Sequence, residues 1–309
     1  MKIAAVLVTY NRLEKLKKTI QAYTNLIEPV DYLVVVNNHS DDGTAEFLAE
    51  WGKTNTPFVK DIIHLSDNMG CSGGVYEASK RALTHDVDWV LVADDDAYPD
   101  KNIISEFKKF VTCNDIRNIS AICSTVKRID QTIDVGHRKW YKSLLGIRPL
   151  FIPSEVSDYK KDSFDIDLFS YVGVFLKVDV LNKIGLCNPG LFIYYDDIEH
   201  SMRVNKTGRV VCVPKILFDH DDGAGQAKAD TSVILSWRDY YAIRNKIYTL
   251  LKYKPITGVF WTISRLFMCY VKHIGSLKAQ KLYITAIIDG VKGNLGKHPK
   301  YRPGFAIKK

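Results

Sequence analysis

Four short, mostly apolar runs lie within the first 92 residues, and three stretches with helical spacing separate them. The runs are 3–9, 32–36, 61–64 and 88–92. The stretches between them, 13–26, about 42–50 and 72–83, place apolar residues three and four apart. Runs this short and this apolar are strands buried on both faces, and alternation with amphipathic helices predicts a parallel sheet covered on each side. The fold class is α/β, and ligands are expected at the C-terminal ends of these strands.

Near Asp130 the pattern degrades. Residues 131–167 are polar and aromatic without a strong period, and a loop of that length is usually functional. Order returns as a strand over 168–175, a short helix over 178–184 and a helix over 196–206 that stops at Gly208. A strand over 209–213 is closed by Pro214. Helices follow at about 231–252, 256–275 and 277–292.

The 309 residues suit one large domain with an appendage. From Ile243 onward there are 14 Lys/Arg against one acid, Asp289, a net +13. The whole chain is +8, so residues 1–242 carry −5. This asymmetry predicts two regions, 1–242 and 243–309. The six cysteines form no C-x-x-C pair, which speaks against a zinc site and for a reducing, cytoplasmic setting. The opening run reads as a strand rather than a signal peptide, and no run of apolar residues is long enough to span a membrane.

Neither a dinucleotide fingerprint nor a phosphate-cradling G-x-x-x-x-G-K-[ST] loop is present. Three acidic segments carry the chemistry instead. Asp94-Asp95-Asp96 directly follows an apolar strand. Adjacent carboxylates there repel one another, which a divalent cation would relieve. Alternate residues of an extended segment point the same way, so Asp94 and Asp96 can share one ion. The ordinary alternative is a solvated acidic turn leading into a helix. Tyr194-Tyr195-Asp196-Asp197-Ile198-Glu199-His200 opens a helix. One Asp suffices for a cap, and Glu199 can simply pair with Arg203 one turn on. Phe218-Asp219-His220-Asp221-Asp222-Gly223 sets an imidazole among carboxylates, a donor set suited to Mn²⁺ or Mg²⁺.

Together with Val8-Thr9-Tyr10-Asn11-Arg12, Val34-Val35-Val36-Asn37-Asn38-His39-Ser40-Asp41-Asp42-Gly43-Thr44 and Asp67-Asn68-Met69-Gly70-Cys71-Ser72-Gly73-Gly74, these segments resemble inverting glycosyltransferase family 2, with its GT-A fold. The resemblance covers about residues 3–250 and looks closest to the galactofuranosyl- and rhamnosyltransferase branches. It implies that Thr9, Tyr10, Asn11 and Arg12 line a nucleotide pocket, with Arg12 near the diphosphate. Asn38 stands where the family usually holds a base-reading Asp. Asp67, Asn68 and Gly70 would border the nucleotide and donor sugar. Asp94 and Asp96 match the metal pair, Asp95 lies between them near ribose or sugar, and His220 matches the third metal ligand. Asp197 matches the catalytic base and Asp196 a neighbouring carboxylate that contacts acceptor or donor. A base at a helix N-terminus has its proton affinity lowered by the helix dipole. Burial and the charge of Asp196 must therefore outweigh the dipole.

The segment His137-Arg138-Lys139-Trp140-Tyr141 mixes cations and rings, suited to a sugar and a phosphate or lipid head, or else to a solvated loop with one anchoring Trp. Trp140, Tyr195 and His200 are the candidate acceptor contacts. The tail pairs aromatic bulk with positive charge, the mark of a helix lying on an anionic membrane surface. An oligomer interface is the alternative. Nucleic acid is not expected, because no nucleic-acid motif accompanies the basic residues.

The expected activity is metal-dependent, inverting transfer of a sugar from a nucleotide-diphosphate sugar. UDP-galactofuranose is the first choice of donor, and a rhamnosyl donor or another UDP-hexose the second. The acceptor would be a hydroxyl of a growing, lipid-linked surface glycan at the inner membrane face. A sugar-nucleotide pyrophosphorylase would need a Gly- and Lys-rich loop after the first strand, where Thr9-Tyr10-Asn11-Arg12 stands. A non-catalytic glycan-binding protein would bind neither UDP nor metal.

Overall fold

The computed structural model describes residues 1–221 and 232–308. Its first half follows the alternation: β1 (Ile3–Thr9), α1 (Leu13–Thr24), β2 (Tyr32–Asn37), α2 (Thr44–Gly52), β3 (Val59–His64), α3 (Gly70–Ala82) and β4 (Trp89–Asp94). Next come β5 (Ala97–Pro99), α4 (Ile103–Cys113) and β6 (Ile119–Arg128). The middle holds β7 (Arg138–Leu144), β8 (Arg148–Pro153), β9 (Phe164–Ile166), β10 (Leu168–Phe169) and β11 (Val174–Lys177). Then follow α5 (Val178–Ile184), α6 (Asp196–Val204) and β12 (Arg209–His220). The chain ends with β13 (Val233–Ser236), α7 (Trp237–Tyr253), α8 (Pro255–Lys272), α9 (Leu277–Lys292) and β14 (Ala306–Lys308).

The main sheet runs β3-β2-β1-β4-β11-β6-β12-β5, with β9 on the flank of β12. Strands β1 to β4 are mutually parallel, and β11 enters antiparallel between β4 and β6. Successive residues of β1 feed opposite faces, as a pleated strand requires: Ile3, Ala5 and Leu7 join one core, and Ala4 and Val6 the other. This is the α/β, mostly parallel architecture that the alternation predicts. A third core, around Tyr241, Ile247, Leu282 and Ala286, fastens α7 and α9 together and takes in Phe192 from the segment before α6.

Four expectations need correction. Residues 131–167 are not a featureless loop: β7 and β8 pair as an antiparallel hairpin, joined by β10 in a small second sheet. Their charged and aromatic residues hide the two-residue period. The strand expected over 168–175 is two strands, broken at Gly173, whose φ of +68° suits glycine. The strand expected to stop at Pro214 continues to His220, because the register to β6 shifts between Cys212 and Leu217 and the proline sits in that irregularity. The helix expected from 231 begins at Trp237 after β13, and residue 231 itself lies outside the described residues. The sequence pattern predicts no element over Ile119–Arg128, where β6 runs.

Candidate active site

Register brings the first group of candidate residues to one edge. Thr9 ends β1 opposite Asn37 at the end of β2, Asn37 faces His64 at the end of β3, and Asp94 ends β4 beside Val8. The antiparallel pairing of β12 with β5 sets His220 against Ala97, one residue after Asp96. Asp94, Asp96 and His220 each offer a ligand atom within 4.8 Å of the others. Hard oxygens plus one imidazole fit a divalent ion of the Mg²⁺ or Mn²⁺ type.

The acidic turn is partly neutralised by the chain itself. Arg12 Nη1 donates to Asp95 Oδ1 at 3.2 Å and to Asp96 Oδ2 at 2.7 Å, and Lys15 Nζ lies 3.4 Å from Asp96 Oδ2. The other Asp96 oxygen is 3.3 Å from His220 Nε2. Burial works against an ionised Asp96, but His220, Arg12 and Lys15 outweigh it and hold the carboxyl below its usual range. At Asp94, burial and then the charge of Asp96 outweigh the pull of His220 and Arg12 and push the carboxyl up to about 7. Burial likewise pushes Asp95 up to about 6 against the pull of Arg12. Asp222 and Gly223 of the third acidic segment lie outside the described residues.

Asn38 is buried and knits the edge together: its Nδ2 donates to Gly70 O at 3.0 Å and Asn68 Oδ1 at 3.3 Å, and its Oδ1 accepts from Met69 N. Asn11, at φ +51°, is tied to Asp41 by two hydrogen bonds, and Tyr10 is exposed. Asp67 is exposed and held by Lys297 Nζ at 2.7 and 2.8 Å. At Gly70, which the resemblance sets at the border of the donor, a Cβ would sit 2.0 Å from the carbonyl oxygen of Phe192. The glycine lets α3 press against the segment leading to Asp196 and Asp197.

That segment is unusual. Phe192, Tyr194 and Tyr195 all have φ between +64° and +68°, each costing about 1–3 kcal/mol for a bulky side chain. Tyr195 is the N-cap of α6, with no side-chain cap hydrogen bond, so neither Asp196 nor Asp197 serves as the cap. Two fully buried residues of α7 hold the strained backbone. Asn245 Nδ2 donates to Leu191 O, Ile193 O and Tyr194 O at 2.8–2.9 Å, and Arg244 Nη2 to Leu191 O at 3.0 Å.

Asp197 opens onto a cleft of about 280 Å³ shared with Lys139, Phe151, Tyr194 and Tyr195. Burial, then the charge of Asp196, pushes Asp197 up to about 7. Burial also raises Asp196, whose Oδ2 is buried without a hydrogen-bond partner. Desolvation and like charge thus outweigh the helix dipole at Asp197. Cys71, in the first turn of α3, has its thiol pushed well up by burial and then by the charges of Asp196, Asp94 and Asp197. Nothing in its sequence context had marked it.

The acceptor candidates separate. Tyr195 lines the cleft. Trp140 packs on the core of the sheet and donates to Asp165 O at 3.0 Å, and strand alternation gives the cleft to Lys139 instead. His200 is 2% exposed and bonded through Nδ1 to Tyr171, so it presents no surface to an acceptor. Glu199 and Arg203 form the expected brace, and Arg203 also donates to Ile184 O and Leu186 O. Arg138, which the sequence places in a loop motif, is fully buried; it ties Ser124 O and Val172 O together and roots the hairpin in the sheet.

Residues 4–182 match the family model described as Glycosyl transferase family 2. The chain is 25% identical over 213 residues to galactofuranosyltransferase GlfT1 of Mycolicibacterium smegmatis, covering 67% of this chain and 66% of that protein. Among solved structures, GalNAc-T7 with UDP, GalNAc and Mn²⁺ superposes with a TM-score of 0.61 at 13% identity, over 94% of this chain and 56% of that one. Residues 1–349 of Staphylococcus aureus TarS with UDP-GlcNAc give 0.58 at 16%, over 94% and 82%. The chain therefore spans less than two thirds of the length of the first two relatives, and the two structural likenesses speak to fold.

Proposed function

The chain belongs to glycosyl transferase family 2, and on that premise we propose that it moves a sugar, with inversion, from a nucleotide-diphosphate sugar to a hydroxyl of a growing, lipid-linked glycan. UDP-galactofuranose is the first choice of donor, supported by the similarity to a mycobacterial galactofuranosyltransferase. A rhamnosyl donor or another UDP-hexose is the second.

The observation that carries the reading is the meeting of Asp94, Asp96 and His220 at the strand edge where Thr9 and Asn37 end their strands. These three residues would hold Mn²⁺ or Mg²⁺. The bound ion would act as a Lewis acid on the leaving diphosphate. Arg12 contributes a second positive charge at that edge, and Thr9, Tyr10, Asn11, Asn38, Asp67, Asn68, Gly70 and Asp95 surround the donor. Asp197 takes the proton of the acceptor hydroxyl as its oxygen attacks the anomeric carbon. The carbon–oxygen bond to the diphosphate breaks, and the nucleotide leaves with that electron pair. A single displacement inverts the centre and needs one base and no enzymic nucleophile. Asp196 keeps the proton affinity of Asp197 high.

No helix among the described residues is long and apolar enough to cross a membrane. The proposed contact with the inner membrane face is peripheral, through residues 243–309, which we treat as a region apart from 1–242. A panel of nucleotide sugars, scored by mass spectrometry for hydrolysis or transfer with Mn²⁺, tests the reading. No consumption of any donor, with no thermal shift from UDP and Mn²⁺, would favour a non-catalytic glycan-binding role.

A further inference from the structure

A chain of rings and cations leads from the Asp197 cleft to α8. Tyr195 and Phe151 of the cleft have ring centroids 6.2 Å apart, and Lys246 of α7 lies 5.0 Å from the Phe151 ring. The same Lys246 nitrogen is 3.7 Å from the ring centre of Trp261 in α8, and the Arg265 guanidinium is 4.2 Å from that ring. Tyr141, 5.9 Å from Phe151, carries Lys254 at 4.9 Å.

Among the described residues, none of Lys139, Arg148, Lys246, Lys254 and Arg265 forms an ion pair with a carboxylate. Arg265 Nε is buried with no hydrogen-bond partner. Burial first, then Arg265 and Arg148, lowers the proton affinity of Lys246 to about 8. Half-burying Lys246 and Arg265 near one another without a counter-charge is costly, and a buried donor left unpaired adds to that cost. An anion supplied from outside would relieve both.

The neighbouring surface is apolar. On α8, Ile256, Val259, Phe260, Ile263, Phe267 and Tyr270 follow three- and four-residue spacing and are 44–68% exposed. The β7–β8 turn adds Leu145, 86% exposed, and Thr257 of α8 donates to Gly146 O in that turn. The exposed flanks, Lys252, Lys254, Lys272, Lys278 and Lys281, are all cationic, so two copies meeting face to face would oppose like charges.

We propose that Lys246, Arg265 and Arg148 bind the phosphate or diphosphate head of an amphiphilic acceptor, whose hydrocarbon lies along the exposed face of α8. The cleft beside Asp197 then receives the sugar that the head carries. This deepens the lipid-linked acceptor reading and rests on it, but binding can be read without donor or transfer.

The test is calorimetry on the full chain in chelator with saturating UDP, titrating inorganic pyrophosphate, farnesyl diphosphate and farnesol. Farnesyl diphosphate should bind more tightly than pyrophosphate or farnesol. In K246Q/R265Q its affinity should fall about tenfold or more, the scale set by losing hydrogen bonds to a charged group, while UDP affinity holds. Arg148→Gln, at an exposed position that leaves the core intact, should weaken it by a smaller factor even if the double variant does not fold. Wild-type affinity in both variants overturns the proposal, as does absence of farnesyl diphosphate binding in the parent. Pyrophosphate binding as tightly as farnesyl diphosphate overturns the part assigned to α8. Transfer to a water-soluble acceptor alongside any of these failures would leave the transferase reading standing.

Discussion

The two carboxylate groups, one around Asp96 and one around Asp197, are treated in opposite ways by the rest of the chain. Asp96 is surrounded by Arg12, Lys15 and His220, and its carboxyl is held ionised. Asp197 shares its cleft with Lys139, and its carboxyl is pushed up to about 7. The first arrangement suits a group that must stay charged to hold something; the second suits a group that must take up a proton and release it again. Both begin as adjacent aspartates in the sequence. The partners supplied by distant elements, α1 and β12 in one case and the buried end of α6 in the other, separate them.

The largest effect expected is on the first group. Chelation with EDTA should abolish donor turnover, and Mn²⁺ or Mg²⁺ should restore it, because a Lewis acid supplies several kcal/mol to a leaving diphosphate. Full turnover in chelator would break the comparison at that end and assign Asp94, Asp96 and His220 to structure alone.

The next concerns the second group. Asp197→Asn should lower kcat by about 10²–10⁴ while UDP affinity, measured by calorimetry, stays near that of the parent. A dead Asp196→Asn beside a nearly normal Asp197→Asn would move the base to the neighbouring carboxylate. In the parent protein a base must be ionised to act, so kcat/KM should fall as pH drops through about 7, the value to which burial and Asp196 push Asp197. The apparent midpoint belongs to the coupled pair. Stability should run the other way. A carboxyl whose folded value is raised binds its proton more tightly than in the unfolded chain, so Asp197 destabilises the fold increasingly as pH rises from about 4 to 7. Asp197→Asn should therefore raise Tm above pH 7, and an unchanged Tm there would argue against the raised value.

A smaller loss is expected where the second group is supported. Asn245→Ala takes this donor from the Ile193 and Tyr194 carbonyls, while Leu191 O keeps Arg244 Nη2, at about 1–3 kcal/mol for buried groups. Assayed well below its Tm, the variant should lose about tenfold in kcat, because small misplacements of a base are costly, with the donor KM held. A lower Tm with wild-type kcat would make Asn245 a matter of stability only.

Much of this was legible in the sequence, and the unread parts share a cause. The strands β1 to β4 were readable because burial on both faces leaves an apolar run. The acidic triplet stood out because unneutralised carboxylates after such a run are expensive. The hairpin was hidden because Lys139 and Tyr141 alternate with Arg138 and Trp140, and both sets look exposed in a sequence. Arg138 is in fact fully buried. The glycine run marks Gly70 as a place of close approach, but only the fold reveals the Phe192 carbonyl against it. The support from Arg244 and Asn245 lies about fifty residues from the turn it holds, inside a stretch that looked like a basic tail. Local pattern carries burial and spacing; it does not carry which distant donor meets which carbonyl.

The smallest effect tests whether the tail also steadies the first group. Lys297 Nζ clasps both oxygens of Asp67, and it is the larger influence holding that carboxyl below its usual range. Asp67 is largely exposed, and pairs of this kind contribute less than about 1 kcal/mol to folding. Lys297→Ala should accordingly leave Tm almost unchanged. If Asp67 borders the donor as proposed, releasing it should alter the donor KM by a factor of about two to five, within the energy of one exposed pair, with kcat unaffected. The effect should shrink at high salt, where an exposed pair is already screened. A fall in kcat comparable with that of Asn245→Ala would show that residues 243–309 steady both carboxylate groups alike, and the contrast between them would then lie only in their charge partners.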